Sequence, residues 1–315
     1  MSDRQFKISI IIPTYNREEI LKKCLEALKN QVFSAVDFEV IISDDGSEDG
    51  TRGIAESAGK DSRFNISYLW QQNKGANAAR NQAIAVARGD ILLFINDDII
   101  ASPVMLDEHW RTHQQYPQES TAVLGKVTLS PEIEKSLFTK MHLDAGYNLW
   151  EGQIELDWRA FYTCNVSVKR FFLLKYGTFE EKMRYHEDLE LSQRLSSYGL
   201  RVIYNPKALG YHYHCLQEDE YFNIACREGT SLAVWYKKSP FLRKELATVG
   251  FYPVLSALKK LKYIIVDLVV NSATFPFLLF LARYFSKTHE KMAVALYKKI
   301  FQSLKRKAIK DELQK

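Results

Sequence analysis

Residues 90–98 read Asp90-Ile91-Leu92-Leu93-Phe94-Ile95-Asn96-Asp97-Asp98. A short apolar run like Ile91–Ile95 is the pattern of a strand covered on both faces, as in a parallel sheet. It closes on three polar residues, two of them carboxylates. Three similar runs precede it. Lys7–Pro13, Phe38–Ser43 and Ile66–Trp70 are short, apolar and rich in β-branched residues. Between the first two, Ile20, Leu21, Cys24, Leu25 and Leu28 recur at helical spacing. Asn16 stands where it can cap that helix, with Glu18 and Glu19 at its positive end. Further helices are predicted over about 50–59 and 76–87. Strand and helix in alternation predict an α/β fold with a right-handed, doubly wound sheet. Ligands in such sheets bind beyond the carboxyl ends of the strands. Three polar clusters fall there: Thr14-Tyr15-Asn16, Asp44-Asp45-Gly46-Ser47 and Asn96-Asp97-Asp98.

Each cluster alone could simply cap a helix or shape a turn. Three at one sheet edge, two with adjacent carboxylates, point to a cation. Asp97 and Asp98 are hard oxygen ligands of the kind that hold Mg²⁺ or Mn²⁺ carrying substrate phosphates. Competing motifs fail. No Gly-x-Gly-x-x-Gly follows a strand. The Gly53–Lys60 stretch lacks P-loop spacing. Asp45, Ser47, Asp49, Gly50 and Glu56 match part of a calcium-loop spacing, but a strand, not a helix, precedes them.

The ordered set of motifs resembles a family-2 glycosyltransferase. Ser9–Asn16 resembles that family's opening strand and turn, and Ile41–Ser47 its second-strand nucleotide motif. Asn73-Lys74-Gly75 with Ala79-Arg80-Asn81 resembles the start of the donor-site helix. Gly89–Asp98 resembles the strand that ends in the metal-binding Asp-x-Asp, with Asn96 in its first place. Asn165–Arg170 with Gly177–Glu181 resembles the acceptor-side segment. His186–Leu195 resembles the acidic helix that carries the base. The likeness runs over about residues 6–215. It implies a GT-A fold: a Rossmann-like mixed sheet flanked by helices.

The resemblance also implies an inverting transfer from a nucleotide diphosphate sugar to a hydroxyl. A base must take the proton of that hydroxyl. Asp188 is implied as the base, beside Glu187. A divalent cation, Mg²⁺ or Mn²⁺, would neutralise the leaving diphosphate. Asp98 would be its main carboxylate, since Asn96 brings no charge. Pro13, Thr14, Tyr15, Asn16, Arg17, Asp44, Asp45, Gly75, Arg80, Asn96 and Asp97 would line the donor, with Asp44 favouring a UDP- or dTDP-sugar. A sugar-1-phosphate nucleotidyltransferase would instead want a Gly-rich basic loop after the first strand, which Pro13–Arg17 is not. Asn96 is the one feature in favour of a catalytically silent sugar- or lipid-binding scaffold.

His212 and His214 alternate in Gly210–Cys215, which on a strand puts both imidazoles on one face. By resemblance one of them would join the metal, His212 before His214. His109 and His113 lie one helical turn apart among Asp107, Glu108 and Trp110, the pattern of a solvated helix face. Trp150, Trp158 and Asn165 fall in the stretch expected to border the acceptor. The two tryptophans can equally be core residues.

The chain has 315 residues, 46% apolar and 26% charged, which excludes a disordered or multi-span protein. Cys24, Cys164, Cys215 and Cys226 form no Cys-x-x-Cys pair, which speaks against a zinc site or a disulfide framework. Met1–Lys7 has no apolar signal core, so a cytoplasmic location is expected. The net charge of +5 conceals an uneven distribution. From Lys237 to Lys315 there are 17 Lys or Arg against 5 Asp or Glu. The expected division is therefore a catalytic domain over 1–236 and a basic, apolar helical region over 237–315. Within the latter, Tyr263–Val270 and Phe275–Ala282 are apolar and flanked by basic clusters. Asp267, Asn271 and Pro276 make a bilayer-spanning helix costly. The pattern fits helices lying on an anionic membrane surface, with packing or homo-oligomerisation as the alternative. No nucleic-acid-binding motif accompanies the basic residues.

Overall fold

The structure is a computed structural model that describes residues 6–142, 147–271 and 273–315. Strand and helix alternate as the sequence predicts: β1 (Phe6–Thr14), α1 (Glu18–Lys29), β2 (Phe38–Asp44), α2 (Thr51–Asp61), β3 (Asn65–Trp70), α3 (Ala76–Val86) and β4 (Gly89–Ile95). Ile8, Ile10, Ile11 and Ile12 are all fully buried. Consecutive burial requires cover on both faces of the sheet, which α1, α2 and α3 help to provide. β1 pairs in parallel with β2 and β4, and β2 with β3.

The next elements turn the sheet mixed: β5 (Ile99–Ala101), α4 (Met105–Gln115), β6 (Thr121–Leu129), α5 (Leu137–His142), β7 (Glu155–Leu156), β8 (Asn165–Lys169), α6 (Arg170–Tyr176), α7 (Glu187–Ser196) and β9 (Arg201–His212). β8 runs antiparallel between β4 and β6. Among the described residues the sheet order is β3-β2-β1-β4-β8-β6-β9-β5, with β7 on β9. β6 and β9 pair in parallel, with a register break between Gly125 and Lys126.

Among the described residues five α-helices follow: α8 (Glu218–Lys238), α9 (Arg243–Thr248), α10 (Ala257–Val269), α11 (Phe275–Thr288) and α12 (Glu290–Gln314). Two compact units result. The first holds all the strands and, among described residues, comprises 6–134, 147–181 and 187–215. The second comprises 135–142, 182–186 and the described residues from 216 onward.

The boundary expected near residue 236 therefore lies twenty residues earlier. Composition changes at 236, but packing does not. Tyr221, Ala225, Gly229 and Leu232 form a buried stripe on α8. A Cβ at Gly229 would stand 2.3 Å from the Lys305 carbonyl oxygen, so α8 and α12 pack closely there. A second correction concerns the basic clusters. Lys305 and Arg306 are buried, Lys305 on Glu228 and Arg306 on Asp267. They belong to the interior of the second unit.

α10 and α11 each leave an apolar stripe exposed. Leu258, Leu261, Ile265 and Leu268 lie on one face of α10, with Leu258 81% exposed. Phe277, Phe280 and Tyr284 do the same on α11. Among the described residues no helix is long and apolar enough to cross a membrane.

Candidate active site at the carboxyl ends of the strands

Register brings the predicted clusters together. Thr14, the last residue of β1, lies opposite Asp44, the last of β2. β4 lies on the other side of β1, with Phe94 opposite Ile11. The Thr14 hydroxyl donates to Asp97 Oδ2 at 2.8 Å. Asn16 does not cap α1. It takes a positive φ of 51°, and its Oδ1 accepts from the Glu48 backbone N–H at 2.8 Å. Its own N–H donates to Ser47 Oγ. The residue thus braces the β1 turn against the β2 turn, and Arg17 takes the helix-leading position. Tyr15 beside it is half exposed.

Asp44 and Asp45 are both buried and both used. Asp44 accepts from the Ser47 N–H and the Tyr68 hydroxyl. Burial and that bond to Asp44 push the Tyr68 phenol upward. Asp45 accepts from the Gln71 side chain and from the N–H groups of Lys74 and Gly75, at 2.7–2.8 Å. Gly75 has a φ of 99°, a left-handed conformation that only glycine adopts cheaply. Asp45 thereby fixes the entry to α3. Tyr68 and Gln71, not singled out from the sequence, are the side chains that hold this pair.

Asp97 and Asp98 are 6% exposed. Burial and the adjacent Asp98 charge raise the Asp97 carboxyl well above the ordinary carboxylate range, against the pull of Arg17 and Thr14. Arg17 Nη1 lies 2.9 Å from Asp98 Oδ2 and 3.4 Å from Asp97 Oδ1. His212 Nε2 lies 3.6 Å from the same Asp98 oxygen. β5 and β9 bring it there, since Ile99 pairs with His212. The strand ends at His212, so the expected alternation does not continue to His214, whose carbonyl faces His212 Nδ1 at 3.3 Å.

Among the described residues no group of three His, Cys, Asp or Glu makes a metal cage. A buried Asp98 Oδ1 without a hydrogen-bond partner does fit a hard cation. Mg²⁺ and Mn²⁺ are commonly held by one or two protein ligands plus substrate phosphate.

Arg80 joins two distant motifs. Its Nη1 donates to Glu187 Oε1 and to Asn77 Oδ1, each at 2.9 Å, and its Nη2 to Asn96 Oδ1 at 3.3 Å. The end of β4 and the start of α7 thus share one guanidinium. Asn77, one turn before Arg80 on α3, was not singled out from the sequence. Its spacing from Arg80 is the signal that could have found it. Asp188 is half-buried in the first turn of α7, its Oδ1 accepting from the Leu189 N–H. Burial pushes the Cys164 thiol up to about 11, and the charges of Asp188 and Asp98 both add to it. One thiol feels both the metal-motif and base-motif carboxylates.

Three sequence expectations need correction. Asn165 does not border an acceptor. It is fully buried, and its Nδ2 donates to the Lys126 and Ala208 carbonyls, next to the β6–β9 register break. A Cβ on Gly125 would collide with that amide at 2.3 Å. His109 and His113 are not on a solvated face. Both are fully buried: His109 meets Ser167 Oγ and Asn165 Oδ1, and His113 meets the same Ser167, all at 2.9 Å. Burial holds the His109 imidazole down at about 4. Of the acidic neighbours that suggested solvent, Asp107 pairs with Arg111 and Glu108 accepts from the Asn205 amide on β9. Trp150 packs among Tyr147, Tyr162 and Tyr204 against the core. Trp158 is half-buried, with the Arg159 guanidinium 5.0 Å over its ring.

A mixed sheet with carboxylates at its strand ends defines a GT-A fold. Residues 9–147 match the family model for glycosyl transferase family 2, and through that stretch the chain is similar to this family. The chain is 31% identical over 242 residues to the glycosyltransferase YfnE of Bacillus subtilis (strain 168), covering 62% of this chain and 61% of that one. It is 24% identical over 310 residues to a Methanococcus voltae protein, covering 92% and 91%. That protein is the dolichyl N-acetyl-alpha-D-glucosaminyl phosphate 3-beta-D-2,3-diacetamido-2,3-dideoxy-beta-D-glucuronosyltransferase. Among solved structures it resembles the mannosyltransferase PcManGT from Pyrobaculum calidifontis in complex with GDP-Man and Mn²⁺. The TM-score is 0.63 at 15% identity, over 96% of this chain and 87% of that one. The chain spans 51–61% of the length of the first curated relatives it matches.

Proposed function

We propose that this chain is an inverting glycosyltransferase that moves a sugar from a UDP- or dTDP-sugar to a hydroxyl of a lipid-linked or other glycan acceptor. The observation that carries the reading is the Arg80 guanidinium shared between Asn96 and Glu187. It brings Asn96 and Glu187 together, which supports reading their segments as the diphosphate and base motifs of one site.

The exposed Tyr15 ring offers a stacking face to the base, on the turn that Asp44 and Asn16 hold. Asp98 and His212, beside Asp97, would hold Mg²⁺ or Mn²⁺, which when bound supplies positive charge to the leaving diphosphate. The Mn²⁺ in the P. calidifontis structure supports such a cofactor. Asp188 takes the proton of the acceptor hydroxyl as it attacks, on the face opposite the leaving group. Arg80 keeps Glu187 paired. Asp188→Asn should lower transfer about a hundred- to ten-thousandfold, with nucleotide binding by calorimetry and the thermal melt unchanged. Undiminished transfer would reject Asp188 as base.

The proposed setting is the cytoplasmic face of a membrane, with the C-terminal helices on its surface. The relative that acts on a dolichyl phosphate supports a lipid-linked acceptor. The exposed stripes of α10 and α11 and the basic excess of 237–315 support surface attachment. Leu261→Asp with Ile265→Asp and Phe280→Asp should abolish flotation with phosphatidylglycerol vesicles. Retained flotation together with loss of a dimer in sedimentation would assign the stripes to a second copy of this chain instead.

A further inference from the structure

Arg17 is built into the acidic pair in an unusual way. One nitrogen, Nη1, serves both Asp98 Oδ2 and Asp97 Oδ1. The Arg17 backbone, at the head of α1, is anchored separately: its N–H donates to Oγ1 of Thr51, the first residue of α2. Its side chain is 32% exposed while both carboxylates are 8% exposed, so the guanidinium reaches in from the solvent side. One positive charge is thus spread over two buried negative ones, and Asp98 Oδ1 has no hydrogen-bond partner. A divalent cation at Asp98 would stand beside Arg17, and two cations a few ångströms apart in a buried site repel strongly.

We propose that Arg17 is a resident cation of the donor site that yields Asp98 to the metal when metal and diphosphate arrive together, and then pairs with the diphosphate. This inference rests on the metal-dependent reading above. The fork of Arg17 suits a phosphate as well as a carboxylate, so the displaced side chain finds a new anion. Metal alone brings no phosphate to the site. The free protein therefore binds metal weakly, and nucleotide tightens metal binding. Arg17 acts as a positioning residue: it sets the order in which the site fills and stands apart from proton transfer.

The test is Mn²⁺ binding followed by electron paramagnetic resonance, with and without UDP, on the wild type, Arg17→Gln, Arg17→Lys and Asp98→Asn. Without UDP, Arg17→Gln should bind Mn²⁺ about tenfold tighter than the wild type, since one competing charge is gone. UDP should then tighten Mn²⁺ binding less in this variant than in the wild type. Arg17→Lys keeps the charge but lacks the planar fork that suits a phosphate, and should fall between; it carries the test if Arg17→Gln does not give a cooperative melt. Asp98→Asn should abolish Mn²⁺ binding. Equal Mn²⁺ affinity in the wild type and both Arg17 variants would overturn the inference and leave the metal site standing. No Mn²⁺ binding by the wild type even with UDP would remove the metal reading, and the inference with it.

Discussion

Two sets of paired carboxylates in this molecule, one buried and one partly buried, are constructed differently. In the first unit, Asp97 and Asp98 share one guanidinium nitrogen, and one oxygen of Asp98 has no partner. In the second unit, Glu228 accepts from both His186 and Lys305. Asp267 there is met by Arg306, Lys310 and the Ser303 hydroxyl. A buried charge costs several kcal/mol unless pairing offsets it. The second set meets that cost inside the fold and so serves as structure. The first leaves it partly unmet, which is tolerable where a ligand brings the missing charge.

That contrast can be broken by experiment. Glu228→Ala leaves Lys305 and His186 facing one another without their shared carboxylate. It should destabilise by about 3–5 kcal/mol, read from urea unfolding. A loss under about 1 kcal/mol would mean the network is not what holds the second unit. Acid probes the same group more gently. Burial alone would raise the Glu228 carboxyl, but the His186 hydrogen bond and the charges of Lys305 and His186 outweigh it and hold the group at about 2, against an ordinary 4.5. A lowered carboxylate stabilises the folded state fully above its unfolded value and loses that contribution as pH falls through the folded one. Stability should therefore decline between about pH 4.5 and pH 2, by on the order of 3 kcal/mol. Glu228→Gln should flatten the decline, and an unchanged slope would reject the assignment. The smallest effect is expected at the other set. Asp98→Asn removes one of two repelling charges, so its urea midpoint should match the wild type or exceed it. A large loss there would turn the acidic pair into structure as well.

The fold was largely legible because parallel strands buried on both faces are spelled as unbroken apolar runs. Phe6–Thr14, Phe38–Asp44 and Gly89–Ile95 differ from their sequence-read bounds by a residue or so. The strand-end clusters were legible for the same reason, since polar residues can follow such a run only where it leaves the core. The errors all came from long-range pairing. His109 and His113 sit among acidic neighbours in the sequence, yet their imidazoles meet Ser167, some fifty residues away. Asn165 lies in a stretch that resembles an acceptor segment, yet its amide satisfies carbonyls at a register break. The domain boundary followed charge, whereas contact follows shape: Gly229 lets α12 pack close to α8.

By itself, the sequence determined the succession of strands and helices in the first half, the resemblance to a family, and which carboxylates follow the strands. Apolar periodicity and turn chemistry are local, and a single segment states them completely. Tertiary structure alone decided which polar groups are spent on the fold and which remain for a ligand. Asp44, Asp45 and Asp98 look alike as residues, but five donors occupy the first two while one oxygen of the third has none. Hydrogen-bond satisfaction is a property of what the fold brings near: four of these five donors lie 24–30 residues from the carboxylate they meet.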